Sequence, residues 1–349
     1  MTAQRIVTDV RRALGYLAEA ARLVRRHPSL LLLPVVVAVF NVGESQLGQH
    51  LVLQRTAYGR WLRERIKELP RPPAPDSRTR VVRVETPGAM SVPTMPLSGV
   101  SALIGAVVTG RPHGTGLRSA PWPNLLLMLM ALSLSLLLLA PVNALVRGGY
   151  FGLLVEAAST DKANAACFAR SAARFFLRFW LLLALLAVAY LTFFSILFPV
   201  LGASDVGWAL LRGAGWLMVA GVFLLMLVSS ALVWEDSSLW TAVGRSVITV
   251  VRDLAVALPL FVVAVAAENV FAWLFQWVRS WTWQQPEPAG FMPWSNVLTD
   301  AGQRCVLALV GAWLAVAIVL WYRDASARLW PRVEEGAPAG GEPAIGGAG

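Results

Sequence analysis

Two kinds of residue in this chain have types and spacings that could do chemistry. The first are polar side chains inside long apolar runs: Glu268 with Asn269, Glu44 with Asn41, Arg212 and Arg304. An ionisable group in lipid costs roughly 2.5–3.5 kcal/mol on insertion scales, so each must face protein or water and find a partner. Such groups either line a polar cavity for transport or form structural ion pairs near the outer interface. They are few, which favours ion pairs. Glu268 shares a helical face with Ala264 and Ala272. A small-residue face suits close helix packing, so its carboxylate is expected inside the bundle, with Arg304 or Arg212 as its partner by depth.

The second kind are acids that follow an apolar run and precede an Arg-Ser pair. Glu156 precedes Arg170-Ser171, and Glu235 with Asp236 precedes Arg245-Ser246. Arg170, Arg174 and Arg178 recur at every fourth position, so they form a stripe along one helix. These residues would make either a cytoplasmic ion or substrate site, or a helix start capped by Asp161 or Ser237 and tied by an elbow salt bridge. Acids are favoured at helix starts by the helix dipole, which supports the second reading.

Other chemistry has little to stand on. HExxH, P-loop and GxSxG signatures are absent. "GTGLRS" (114–119) lacks the third glycine and following helix of a phosphate loop and reads as a turn. Cys167 and Cys305 form no CxxC, and His27, His50 and His113 are scattered. No metal site, disulfide or cofactor is expected, and the chain is not expected to be an enzyme.

The elements that must hold these residues are apolar helices. Of 349 residues 57% are hydrophobic and only 14% charged, with mean hydropathy +0.61. Apolar surface in such long runs implies lipid as the solvent. The net charge of +10 is nearly all arginine and flanks the apolar runs, so it suits a membrane surface better than nucleic acid. About 20 apolar residues cross a bilayer as a helix. Six stretches qualify: 30–47, 124–146, 180–201, 211–233, 254–278 and 303–322. Arginines precede the first and follow the last, so both termini are expected in the cytoplasm and the crossings should be even in number. Trp273, Trp277, Trp281, Trp283 and Trp294 read as an outer aromatic belt, with Trp234 and Trp240 at the opposite face.

The expected organisation is one membrane domain over 1–332. It carries a long extracytoplasmic insertion at 48–123, and a disordered tail follows at 333–349. Within the insertion, 50–69 reads as a basic helix and 97–110 as an interfacial or re-entrant segment. The N-terminus does not read as a signal peptide. Three stretches can be laid side by side: 20–37, 171–188 and 245–263. Each is an amphipathic helix running into a span. Their apolar faces are Val10, Leu14, Leu17, Ala21 and Val24; Phe168, Ala172 and Phe175; and Leu239, Val243, Val247 and Val250. Such helices suit the inner interface, with arginines on anionic headgroups. The fold class is therefore all-α integral membrane. Six transmembrane helices would form three hairpins, each preceded by a cytoplasmic amphipathic elbow.

"GGYFGLLVEAAS" (148–159) and "ALVWEDSSLWTAVGRS" (231–246) place an acid after a span and then an amphipathic helix with Arg-Ser. In this the chain resembles a loose group of uncharacterised bacterial and archaeal six-span membrane proteins. The group includes the membrane domain attached to some glycerophosphodiester phosphodiesterases. The resemblance covers most of 10–330 outside the insertion, implies a six-span fold, and brings no catalytic residues. The expected function is a non-enzymatic, multi-pass cell-membrane protein that organises lipids or a membrane-protein partner. The alternative is a transporter or channel for a small solute or lipid.

Overall fold

The computed structural model describes residues 3–39, 122–191, 205–282 and 294–330. Their regular structure is all α-helical, and they contain no strand. The helices are α1 (Ala3–Arg26), α2 (Ser29–Val39), α3 (Trp122–Thr160), α4 (Ala165–Leu191), α5 (Asp205–Leu224), α6 (Val228–Trp234), α7 (Leu239–Arg252), α8 (Leu254–Thr282) and α9 (Trp294–Leu329). Among the described residues two segments are long and apolar enough to cross a membrane, Leu254–Phe275 in α8 and Ala301–Leu329 in α9. The insertion up to Pro121, Glu44, and the tail from Pro331 lie outside the described residues.

The boundaries follow local chemistry. Pro28 disfavours a helical conformation at His27, so α1 ends at Arg26 and α2 begins afresh. Asn164 Oδ1 accepts from Cys167 N at 2.8 Å and caps α4. Ser238 Oγ accepts from Thr241 N at 3.3 Å and caps α7. The expected caps, Asp161 and Ser237, sit just outside these positions. Ser237 Oγ instead donates to Ala231 O, across the end of α6.

Two elements depart from the expected spans. α3 runs unbroken for 39 residues, about 58 Å at the helical rise, well past the expected span end at 146. The fourth expected span, 211–233, is two helices with a turn at Leu225–Leu227. No proline or glycine explains that turn. Ser246 on α7 inserts its hydroxyl into the helical ladder at this turn. Its Oγ donates to Leu224 O at 2.7 Å and accepts from Leu227 N at 3.2 Å.

α9 is the central helix and packs against α1, α3, α6, α7 and α8. Leu314 through Tyr322 are buried without interruption, as expected of a helix apolar on every side. Around it, α3 packs along α4, and α6 packs on α7. These two contacts are versions of one joint. A shift of 75 positions carries Gly152 onto Leu227, Asp161 onto Asp236, Arg170 onto Arg245 and Ser171 onto Ser246. Ser171 fills the space left by Gly152, where an added Cβ would stand 2.1 Å from the Ser171 Cβ. Ser246 fills the space opened by the turn at Leu227. In both joints the serine after the arginine lets the elbow helix come close to the helix before it. α1 has no earlier helix among the described residues and packs instead on α9 and α8.

Candidate functional site

The charged side chains of the elbows form a chain of contacts that joins the helices. On α6 and α7, Glu235 forms an ion pair with Arg245. The other Glu235 oxygen accepts from the Tyr322 hydroxyl at 2.6 Å. Arg245 also lies over the Trp330 ring, 5.3 Å from its centroid. This pair is mostly sheltered, with 10% of the Glu235 side chain and 31% of that of Arg245 exposed. A carboxylate held by a guanidinium and a phenol is a poor general base and a good strut.

Asp236 accepts from two arginines of the second elbow, Arg174 at 2.5 Å and Arg178 at 2.6 Å. The Arg174 hydrogen bond, followed by that of Arg178, holds the Asp236 carboxyl below the usual carboxylate range. Asp161 is matched in the same way. His27, just past α1, approaches Asp161 Oδ1 with Nε2 at 2.8 Å. That hydrogen bond lowers the Asp161 carboxyl as well. When 20–37 is laid on 171–188, His27 falls on Arg178. The loop acid before each later elbow is thus latched by a base from the end of the elbow before it.

The next position in the series carries the opposite charge. A shift of 75 takes Arg178 to Asp253, between α7 and α8. Asp253 Oδ2 accepts from Arg328 Nη2 at 2.7 Å and from Trp321 Nε1 at 3.3 Å. The acid is now on the elbow and the base on the last helix. α1 also docks there. Tyr16 donates to Asp324 at 3.2 Å, Arg323 reaches Glu19 at 3.3 Å, and Trp313 Nε1 donates to Leu17 O at 2.9 Å. Burial, and then the Asp324 charge, raise the Tyr16 phenol, so it stays a donor.

The structure treats the expected site residues unevenly. Glu235, Asp236, Arg174, Arg178 and Arg245 come together. Two of the three stripe arginines are engaged by Asp236, a protein acid, and Arg170 is left exposed. Glu156 is not the counterpart of Glu235. The 75-residue shift sets it on Ala231, and its carbonyl accepts from Thr160 at 2.9 Å. Glu268 is half-buried on α8 and has a polar partner. Asn269 is exposed, and its amide donates to Val265 O at 2.7 Å, one turn back on its own helix. Arg304 is half-buried on α9. The Arg212 side chain lies outside the described residues.

The sequence reading missed a buried polar seam. Asn143, Arg147 and Tyr150 lie on one face of α3 and are all buried. Asn143 and Arg147 have partners. Ser229 and Ser230 on α6, which packs on α3, are buried too, as are Ser246 and Thr249 on α7. The hydroxyls of Tyr150, Ser230 and Thr249 have no partner there. The spacing 143, 147, 150 was the available signal, since it places three polar residues along one helical stripe. Among the described residues no three of His, Cys, Asp and Glu gather as metal ligands would. The chain matches no protein-family model, no curated protein and no solved structure.

Proposed function

We propose that the chain is a multi-pass cell-membrane protein. It crosses the bilayer six times as three hairpins, keeps both termini in the cytoplasm, and serves without catalysis to organise lipids or a membrane-protein partner. The observation that carries this is the order of faces on the elbows. Around α1 the buried residues Ala13, Tyr16 and Ala20 give way to exposed Val10, Leu14 and Ala21, then to exposed Arg11, Arg22 and Arg26. Around α7 the order is Ala242, Ser246 and Val250, then Trp240, Ile248 and Val251, then Arg252. Around α4 it is Ala172, Phe175 and Phe179, then Ala173 and Leu177, then the arginine stripe. All three turn in the same sense at 100° per residue. A soluble helix needs two sectors. A third, exposed and apolar, suits a helix lying at the lipid boundary. The exposed Leu254, Leu258 and Val262 of α8 continue the apolar sector of α7.

The test is topology. A reporter active only outside the cytoplasm should be silent when fused after Arg332 and active when inserted near Asp76. The reverse pattern would overturn the arrangement.

A transporter or channel is the second reading. The turn at Leu225–Leu227 and the buried seam beside it support it, because interrupted spans beside polar groups mark many transport sites. In reconstituted vesicles, Glu268→Gln would then abolish pH-dependent flux while leaving thermal stability nearly intact. In the scaffold reading Glu268→Gln destabilises the protein and no flux is present to lose.

A further inference from the structure

We propose that the first elbow, α1, is the docking surface for anionic phospholipid headgroups, and that the second elbow is not. The proposal rests on the membrane reading above and assigns its lipid contact to particular residues. The sequence pattern favours α4, whose three arginines form the most regular stripe. The structure removes two of them, because Arg174 and Arg178 are engaged by Asp236. On α7, Arg245 is engaged by Glu235. On α1, Arg11, Arg22, Arg25 and Arg26 are all exposed, and none is in an ion pair. Arg25 and Arg26 also complement the carboxyl end of α1. Arg11 and Arg22 have no such structural role.

Their setting fits a lipid surface. Arg11 and Arg22 project within about 20° of each other along α1 at 100° per residue, and the exposed apolar sector of Val10, Leu14, Ala18 and Ala21 borders them. Within that sector Leu14 is 58% exposed. A phosphodiester above an acyl chain presents the complementary pair, with anion and hydrocarbon adjacent in the same order. The acids of α1 stand off this surface. Glu19 is bonded to Arg323, and Asp9 is half-buried on the side toward the bundle. The opposite face of α1 docks on α9 through Tyr16 and Leu17. One helix therefore binds the bundle and the bilayer with separate faces.

The experiment uses the full chain in mixed micelles with phosphatidylglycerol or phosphatidylcholine, and native mass spectrometry reads the apparent affinity for the first bound lipid. Each arginine near an anionic surface is worth about fivefold in affinity. Arg11→Gln with Arg22→Gln should weaken phosphatidylglycerol binding roughly 25-fold, leave phosphatidylcholine binding unchanged and preserve the melting temperature. Arg174→Gln with Arg178→Gln should lower the melting temperature and change phosphatidylglycerol binding less than about twofold. Unchanged phosphatidylglycerol binding in the α1 variant, or equal loss for both lipids, overturns the proposal. Carbonate extraction of native membranes separates the two levels. Release of the chain overturns the membrane reading as well, whereas a retained chain with a silent α1 variant overturns only the present assignment.

Discussion

Asp161 and Asp236, 75 positions apart, are the two non-glycine residues of the described chain with positive φ, at 55° and 50°, and each accepts a hydrogen bond from the end of the preceding elbow. A left-handed backbone costs most residues about 1–2 kcal/mol, and Asp and Asn tolerate it best. The two roles of Asp236 can therefore be separated. Asp236→Asn keeps the backbone preference and loses the charge, so its cost should stay under about 1 kcal/mol, as for other exposed pairs. Asp236→Ala should cost about 1 kcal/mol more. Asp236→Gly should fall near the Asn variant. Thermal melting of the three purified variants checks the order, and an Ala variant as stable as Asn would remove the backbone part of the account.

The same residue sets a pH dependence. The folded carboxyl of Asp236 is held low by Arg174 and Arg178. Its contribution is thus fully present above the unfolded value near 3.9 and is lost as pH falls through the lower folded value. Melting temperature should fall between about pH 5 and pH 2, and Asp236→Asn should flatten part of that slope. A slope identical in wild type and variant would show that other carboxylates carry it.

Glu235 offers a stronger test because it is sheltered. Glu235→Gln leaves the Arg245 guanidinium without its partner and should cost about 3 kcal/mol. Adding Arg245→Met should recover much of that loss. Tyr322→Phe removes a hydrogen bond to a charged group and should cost about 1.5–3 kcal/mol. Losses that simply add in the double variant would mean the pair does not act as a unit.

The serine joint predicts a steric rescue. Gly152→Ala puts a methyl where Ser171 already stands, and overpacking of this kind costs about 1–3 kcal/mol. Ser171→Gly should restore the Gly152→Ala protein toward wild type, while Ser171→Ala should not, because the clash is with Cβ. Rescue by alanine would place the conflict at the hydroxyl.

Much of this was legible in the sequence. The helical class follows from periodicity, and the Glu235–Arg245 bridge from opposite charges on either side of one helix start. The rest depended on contacts between elements. Nothing local distinguishes Leu225, Met226 and Leu227 from their apolar neighbours, and the group that enters the broken ladder, the hydroxyl of Ser246, lies 19 residues on from Leu227. The arginine stripe reads as a face for anionic headgroups until Asp236 is brought to it across 62 residues. The parallel drawn between Glu156 and Glu235 used sequence order. The 75-residue register pairs Asp161 with Asp236 instead, and backbone conformation reveals this.

The docking of α1 on α9 has a consequence for the time course of synthesis. Tyr16 and Asp324 are 308 residues apart, and Leu17 and Trp313 are 296 apart. At a ribosomal rate of about 5–20 residues per second, α1 emerges roughly 15–60 seconds before the helix that covers it. Throughout that interval Tyr16 and Leu17 lack their partners on α9, and a nascent chain with such a surface is exposed to aggregation and to chaperones. A chain terminated before Trp294 would never leave that state. α1 is made before the other described helices yet is secured on α9 only when that helix appears.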